Sequence, residues 1–274
     1  HELSASAMAF WPIVEIDDEC GDVVKAMVDR LPPLYQPVHQ AITRHFGGDW
    51  VDKQFIRSWQ ESVQFLRDPT ASDGIVFYSE GEAYAPFLRP VINALADVYD
   101  GPIHYLTSDA NDRVLIDDWP DVRSFYISNG CARTYVLNHM HAAVVAMTSP
   151  DINTFHIKRS LKARHYAYLH HSLVSTHMIY RKGAFDHYDS ILCVGNHQIQ
   201  EIRAWEALQG LPPKQLFKHG HPSLDALMNA AKENPAPPVS DDMHLNILLA
   251  PSWGPLGLME TRGEEVVQTI LDAG

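Results

Sequence analysis

The sequence contains few cysteines and no long apolar segment. Its three cysteines, Cys20, Cys131 and Cys193, form no CxxC pair and leave one thiol over in any disulfide scheme. Such usage is typical of a reducing compartment, so the cytoplasm is the expected location. No uninterrupted apolar run approaches the roughly 20 residues that span a bilayer. The chain opens with His1 rather than Met, so we expect an upstream segment, and an anchor there stays an open alternative.

Several motifs of catalysis and nucleotide binding are absent. The sequence has no GxGxxG and no GxxxxGK[ST], which argues against the common dinucleotide and P-loop sites. It has no GxSxG, which argues against a serine hydrolase. Histidines come in close pairs, as they do in zinc sites, but no HExxH or CxxC accompanies them, and we predict neither a metal nor a cofactor. The pairs are His139/His141, His170/His171 and His219/His221.

Basic residues are scarce relative to acidic ones. The chain contains 21 lysines and arginines and 34 aspartates and glutamates, which gives a formal charge of −13. A chain of this charge repels a polyanion unless its basic residues cluster, so nucleic acid is not an expected partner. The 16 histidines weaken this argument below about pH 6, where they begin to carry positive charge.

The first part of the chain, residues 1–72, has helical periodicity. Apolar residues recur three and four apart over 22–30, 35–46 and 51–66, with Pro32 and Pro33 separating the first two stretches. We predict a helical extension here. It either caps the main domain or forms a surface that faces an acceptor or a membrane.

Residues 73–232 alternate short apolar runs with helical ones, which predicts a parallel sheet with crossover helices. The pattern indicates a doubly wound, Rossmann-like α/β domain, in which sites lie at the carboxyl ends of strands. Helices are predicted over 85–98, 131–138 and 197–208. Strands are predicted over 75–78, 103–106, 124–127, 143–147, 165–169 and 190–194.

A proline-rich linker over 233–240 precedes a different segment, residues 241–274. Residues 245–250 (LNILLA) predict a strand, and 263–271 predict a helix. One strand and one helix cannot form a sheet, so we interpret this segment as the incomplete start of a second Rossmann-like domain.

The segment YAYLHHSLVS, residues 166–175, ends a predicted strand with two histidines and a hydroxyl-rich turn. Successive strand side chains point to opposite faces, so only one of His170 and His171 can face a given cleft. A neutral imidazole there could accept a proton from an attacking hydroxyl. The alternative is that both histidines only hydrogen-bond nearby backbone.

Two further segments are candidates for binding. In HGHPSLD, residues 219–225, Gly220 and Pro222 favour a tight turn, and Ser223 is expected to cap a helix that starts near Leu224. Free amides at such a start attract phosphate, although a simple turn explains the pattern equally well. The segment around Ser252 and Trp253 follows the strand predicted over 245–250 and either lines a cleft between domains or only connects them.

The order of these pieces resembles the CDP-glycerol glycerophosphotransferases of teichoic-acid and capsule synthesis. The resemblance covers residues 73–258: the segment 75–84, then LHHS at 169–172, then GHPSLD at 220–225, then APSW at 250–253. It implies the GT-B architecture, with the acceptor mainly on the N-terminal domain and the CDP-linked donor mainly on the C-terminal one. The expected function is transfer of glycerol phosphate, or a related alditol phosphate, to a hydroxyl of a polymer or lipid-linked acceptor, with release of CMP.

The resemblance also implies roles for individual residues. His171 matches the family's strand-end histidine, a proposed general base that deprotonates the acceptor hydroxyl. Helix amides near Gly220 would stabilise phosphoryl charge. The residues expected to contact substrates are His170, Ser172, Ser79, Glu80, Gly220, His221, Pro222, Asp225, Ser252 and Trp253.

The sequence departs from the family where Trp-His-Gly is usual, because it has His170-His171-Ser172. The family's donor-binding motifs would lie beyond Gly274, so we expect these residues alone to be inactive. The alternatives are another GT-B enzyme, either a nucleotide-sugar glycosyltransferase or a 2-epimerase, and a non-catalytic binding module. Peripheral contact with the inner face of the plasma membrane is a further open expectation.

Overall fold

The fold is a seven-stranded parallel sheet with helices on both faces. The computed structural model describes residues 53–117, 119, 121–155, 157–235, 247–251 and 254–273. They form two compact units, one ending at Asn229 and the other starting at Ala230. The helices predicted over 22–30 and 35–46 lie outside the described residues, as does Cys20.

The strands of the first unit are all parallel and follow the order β3-β2-β1-β4-β5-β6-β7. They are β1 Ile75–Ser79, β2 Ile103–Thr107, β3 Val122–Tyr126, β4 Ala142–Met147, β5 Ala163–Leu169, β6 Ser190–Cys193 and β7 Gln215–Lys218. The order reverses between β1 and β4, where open α/β sheets bind ligands beyond the carboxyl ends of their strands. The predicted Rossmann-like α/β fold is confirmed.

Seven helices accompany the sheet and the second unit in the described residues. They are α1 Lys53–Arg67, α2 Ala85–Ala96, α3 Cys131–His139, α4 Thr176–Ile179, α5 Asn196–Gln209, α6 Pro222–Glu233 and α7 Leu258–Asp272. Among the described residues, none of these helices is long and apolar enough to cross a membrane.

The core lies on both faces of the sheet because alternate strand residues point in opposite directions. On one face Tyr78, Met147 and Tyr168 are fully buried, and on the other Phe77 and Tyr105 pack with α2. A parallel sheet covered on both faces needs such near-continuous apolar strands, which is why the pattern over 73–194 identified them.

Several predictions need correction, among them the starts of β5 and α7, which lie at Ala163 and Leu258 rather than at residues 165 and 263. Strand β7 was not predicted, because its four residues QLFK contain only two apolar ones, too few to stand out as an apolar run. Strand β3 starts two residues earlier than predicted, at Val122. Helix α6 starts at Pro222 rather than near Leu224. Residues 247–250 form no strand, since no neighbouring strand among the described residues of the second unit can bond their backbone groups.

Candidate active site at the carboxyl edge of the sheet

The candidate site lies where β1, β5 and β7 end. Parallel strands place their carboxyl ends on the same edge of the sheet, so Glu80, His171 and His221 come to one region although they are far apart in sequence. Ring contacts between these segments, made through Tyr84 and Phe87, confirm their proximity.

The His171 ring is half-buried against the segment that follows β1. Its centroid lies 5.3 Å from that of Tyr84 and 5.7 Å from that of Phe87, and both contacts are edge-to-face. Its buried Nδ1 has no hydrogen-bond partner among the described residues. Aromatic edges therefore orient the imidazole, and because Nδ1 is enclosed, a substrate would have to meet the other ring nitrogen, Nε2.

Three effects act on the pKa of His171. Burial lowers it, because a charged imidazole is poorly solvated there, and the neighbouring His221 lowers it further. The Glu80 carboxylate opposes both effects by favouring the charged form. The net direction is downward, so His171 is neutral at pH 7 and able to accept a proton.

His170 points to the opposite face of the sheet, as strand alternation requires, and is only 1% exposed. Its ring packs among Tyr168, Phe185 and Tyr180 at centroid distances of 4.7, 5.2 and 6.0 Å. Neither ring nitrogen has a hydrogen-bond partner within the described part of the chain, and burial lowers its pKa to about 3. The structure thus places His170 in the core, away from the cleft expected of a substrate contact.

His221 caps helix α6. Its Nδ1 accepts a hydrogen bond from the Leu224 amide at 3.3 Å, so Nε2 carries the proton and donates to the His171 carbonyl at 3.4 Å. The ring also meets Phe87 edge-on at 5.5 Å. Ser223, the predicted cap, instead has a buried hydroxyl without a partner among the described residues.

Ser79 is the last residue of β1 and Glu80 follows it, but the two side chains are not equally available to a substrate. The Ser79 hydroxyl is buried, donates to the Gly81 carbonyl at 2.8 Å and accepts from the Gly81 amide at 3.2 Å. It holds the turn and is poorly placed to meet a substrate. Glu80 is exposed and interacts with both Tyr84 and His171. The carboxylate therefore faces the candidate base.

Helix α5 fixes the segment after His171. The Gln198 amide donates to the carbonyls of Ser172 and Val174 at 3.2 and 3.0 Å. The Glu201 carboxylate accepts from the Thr176 amide and hydroxyl at 2.6 and 2.7 Å. Ser172 is thus held next to His171 through its backbone.

The other predicted contacts are only partly described. Gly220 has φ of +85°, a backbone conformation that favours glycine, and it precedes the His221 cap. Pro222 is the first residue of α6 and Asp225 lies exposed in its first turn. Ser252 and Trp253 lie outside the described residues.

The aromatic wall formed by Tyr84 and Phe87 has no clear signal in the sequence. Their spacing of three beside a predicted helix is the ordinary spacing of core residues, and nothing local indicates that they contact a strand end more than 80 residues away. Within the described residues, no three histidine, cysteine or carboxylate side chains are grouped as a metal site.

Comparison with known proteins gives structural neighbours only. No family model matches the chain, and no curated protein matches it in sequence. A structure of the wall teichoic acid polymerase TagF, soaked with CDPG, is similar over 72% of this chain and 52% of that one, with 11% identity and a TM-score of 0.43. A variant of the same polymerase matches over 65% and 46%, with 9% identity and a TM-score of 0.42. The chain thus spans about half the length of these neighbours.

Proposed function

We propose that this chain is the acceptor-side part of a transferase. The reaction moves glycerol phosphate, or a related alditol phosphate, from a CDP-linked donor to a hydroxyl of a polymer or lipid-linked acceptor. The observation that supports this is His171: a half-buried imidazole with a lowered pKa, oriented by the rings of Tyr84 and Phe87. It lies at the sheet edge where this fold carries its sites, with a carboxylate beside it.

The chemistry requires a base, and His171 is suited to that role. The imidazole removes the proton of the acceptor hydroxyl while its oxygen attacks the β-phosphorus of the donor. The new P–O bond forms as the bond to the leaving CMP oxygen breaks, and the proton stays on His171. Base catalysis of this kind contributes about 10² to 10⁴-fold in rate.

Glu80 and the start of α6 complete the proposed machinery. Glu80 stabilises the imidazolium that forms during transfer, because it favours the charged state of His171. At the start of α6, Pro222 has no N–H and the Leu224 amide bonds His221, so the Ser223 amide is the one that suits a phosphoryl oxygen. Phosphoryl transfer depends mainly on such positioning and charge stabilisation. The donor itself is proposed to bind to the complete protein through residues beyond those described.

Release of CMP by the complete protein tests the proposal, with CDP-glycerol, CDP-ribitol and a panel of UDP-, GDP- and CMP-sugars as donors. We expect turnover of a CDP-alditol that falls at least about 100-fold in His171→Ala, the lower range of base catalysis. His187→Ala is the matched control, because His187 is exposed and its side chain makes no hydrogen bond among the described residues.

Each alternative predicts a different result. Preference for a nucleotide sugar would assign the chain to the glycosyltransferases or epimerases. Full CDP-alditol turnover in His171→Ala would remove His171 as the base, and no turnover of any donor would favour a binding module.

A further inference from the structure

An arginine without a carboxylate partner lies at the carboxyl edge of the sheet. Arg133 is the third residue of α3, the helix that follows β3, and its side chain is partly buried. Most arginines of the described residues form an ion pair, but Arg133 forms none there. Its Nε is buried and has no hydrogen-bond partner within the described part of the chain. A buried, unsatisfied donor on a cation indicates that a group from outside the chain binds there.

The charge of Arg133 acts on the hydroxyl of Tyr78, which lies near the end of β1. Burial raises the pKa of the Tyr78 hydroxyl, Ser108 and Arg133 oppose this effect, and the Glu80 carboxylate adds to it less strongly than Arg133 opposes it. The phenol is therefore protonated at pH 7. The arginine, rather than the carboxylate, dominates the local charge at this hydroxyl.

The Tyr78 hydroxyl connects Arg133 to Ser108, the residue that follows β2. The two hydroxyl oxygens lie 2.9 Å apart. Because a guanidinium carries donors only, the Tyr78 oxygen faces a donor and its own hydrogen is directed to Ser108. The Ser108 hydroxyl makes no other hydrogen bond among the described residues, so its hydrogen is left to donate. Arg133 and Ser108 thus present donors and a positive charge together.

The neighbouring acidic side chains leave this charge open. Asp109 follows Ser108, but its carboxylate accepts hydrogen bonds from two backbone amides, with N–O distances of 2.9 and 3.4 Å. The Glu80 carboxylate acts on His171, whose charged form it favours. Neither carboxylate pairs with Arg133, so an anion that enters from solvent finds the guanidinium available.

We propose that Arg133 and Ser108 form a binding site for the phosphate group of an alditol phosphate. A guanidinium suits phosphate because its planar fork bonds two oxygens at once. Both side chains are partly exposed, so a ligand can reach them. The choice of phosphate over a carboxylate rests on the proposed function, in which the donor and the product both carry an alditol phosphate.

The phosphate site belongs to the same region as the candidate base. Glu80 acts on both the Tyr78 hydroxyl and His171. Tyr84 contacts the His171 ring and interacts with Glu80 and Tyr78. A ligand with its phosphate at Arg133 therefore has Glu80 on the way to the base, and a carboxylate there suits the hydroxyls of an alditol.

Calorimetric titration of the complete protein with glycerol 3-phosphate tests the site, with glycerol and inorganic phosphate as comparison ligands. We expect glycerol 3-phosphate to bind more tightly than either. Arg133→Gln should weaken its binding at least about tenfold, the usual effect of losing a hydrogen bond to a charged group. Arg133→Lys keeps the charge without the fork and should recover part of the loss. Ser108→Ala should weaken binding about two- to tenfold.

Arg164→Gln is the matched control. It removes the same charge at the opposite edge of the sheet, because Arg164 is the second residue of β5 and forms an exposed pair with Asp73, just before β1. It should bind glycerol 3-phosphate like the parent. Circular dichroism checks that each variant is folded.

Michaelis constants for CMP release show which substrate uses the site. Arg133→Gln should raise the KM of the CDP-alditol if the site holds the phosphate of the donor, and the KM of the acceptor if it holds a phosphate of the acceptor.

Three results would overturn the phosphate site: glycerol 3-phosphate binds no more tightly than glycerol, Arg133→Gln binds it like the parent, or Arg164→Gln loses as much as Arg133→Gln. Equal affinity for inorganic phosphate would overturn the assignment to an alditol ester. Because the titration needs no turnover, Arg133-dependent binding without any CMP release would contradict only the proposed function. CMP release with unchanged binding in Arg133→Gln would contradict only the phosphate site.

Discussion

The His221 side chain donates a hydrogen bond to the backbone carbonyl of His171, and its other ring nitrogen caps helix α6. One neutral histidine thus connects the turn after β7 to the end of β5. The ring can do both only as the Nε2–H tautomer, because the Leu224 amide occupies Nδ1.

The first prediction concerns this cap. His221→Ala removes both hydrogen bonds and should lower the free energy of unfolding by about 1 kcal/mol, the usual effect of losing a helix cap. His221→Asn keeps a capping acceptor and should recover most of that loss. Urea denaturation at pH 7.5 measures both variants, with His187→Ala as the control. Equal stability of the Ala variant and the parent would show that the turn holds α6 without the side chain.

A second prediction follows from buried His170. Its pKa is about 3 in the folded protein against an ordinary value of 6.5, so the unfolded chain binds the proton more tightly. The contribution of neutral His170 to the free energy of unfolding is therefore fully present above pH 6.5 and is lost as the pH falls toward 3. Replacing the ring by His170→Phe removes the acid penalty, which amounts to roughly 3 kcal/mol at pH 4.

Thermal unfolding between pH 7 and pH 4 measures this difference. The Phe variant should match or exceed the parent at pH 7, because both ring nitrogens of His170 lack partners among the described residues. It should be clearly more stable at pH 4. The exposed-site variant His187→Gln should keep the pH dependence of the parent, and a parallel curve for His170→Phe would mean that His170 does not titrate on unfolding.

Asp68 carries the third prediction. Burial acts to raise its pKa, but hydrogen bonds from Thr70 and His104 and the charge of Arg123 outweigh it and hold the pKa at about 2. Because the folded pKa lies below the unfolded value of 3.8, this stabilisation is present above pH 4 and is lost between about pH 4 and pH 2.

Asp68→Asn should cost about 1 to 3 kcal/mol at pH 7, since it removes the buried carboxylate that Thr70 and His104 hydrogen-bond and that Arg123 pairs with. Asp73→Asn is the control, because the Asp73–Arg164 pair is exposed and such pairs contribute about 0 to 1 kcal/mol. Denaturant unfolding at pH 7 measures the two variants. Similar losses in both would contradict a special role for the buried cluster.

Much of the fold was predictable because it follows from the local pattern. Strands β1, β2, β4 and β6 are buried on both faces and therefore read as apolar runs, and their predicted bounds are close to those observed. The apolar run at 247–250 has the same composition but forms no strand, because strand formation also requires a neighbour to pair with.

The candidate site was predictable only in part, because its contacts depend on which segments the sheet brings together and not on the local pattern alone. Alternation on β5 correctly indicated that His170 and His171 separate, but not which face holds the cleft. That depends on Tyr84 and Phe87, which contact His171 through the sheet's topology rather than through sequence proximity. The capping role of His221 was also hidden, because serine is a far commoner cap than histidine.

The fourth prediction rests on the proposed function and concerns Glu80. Its carboxylate raises the pKa of His171 against the larger lowering effect of burial, so Glu80→Gln should lower that pKa further. Because the base must be unprotonated, the acidic limb of the pH profile for CMP release should then move to lower pH. The plateau rate should fall, since a base of lower pKa accepts a proton less readily.

Steady-state kinetics of the complete protein between pH 5 and pH 8.5 measures both effects. Glu82→Gln is the matched control, because Glu82 is two residues away and pairs with exposed Arg113. It should leave the acidic limb in place. A lower plateau with an unshifted limb in Glu80→Gln would mean that Glu80 contacts a substrate, because loss of a substrate contact lowers the rate without changing the pKa of the base. A shifted limb would instead identify Glu80 as the group that sets the basicity of His171.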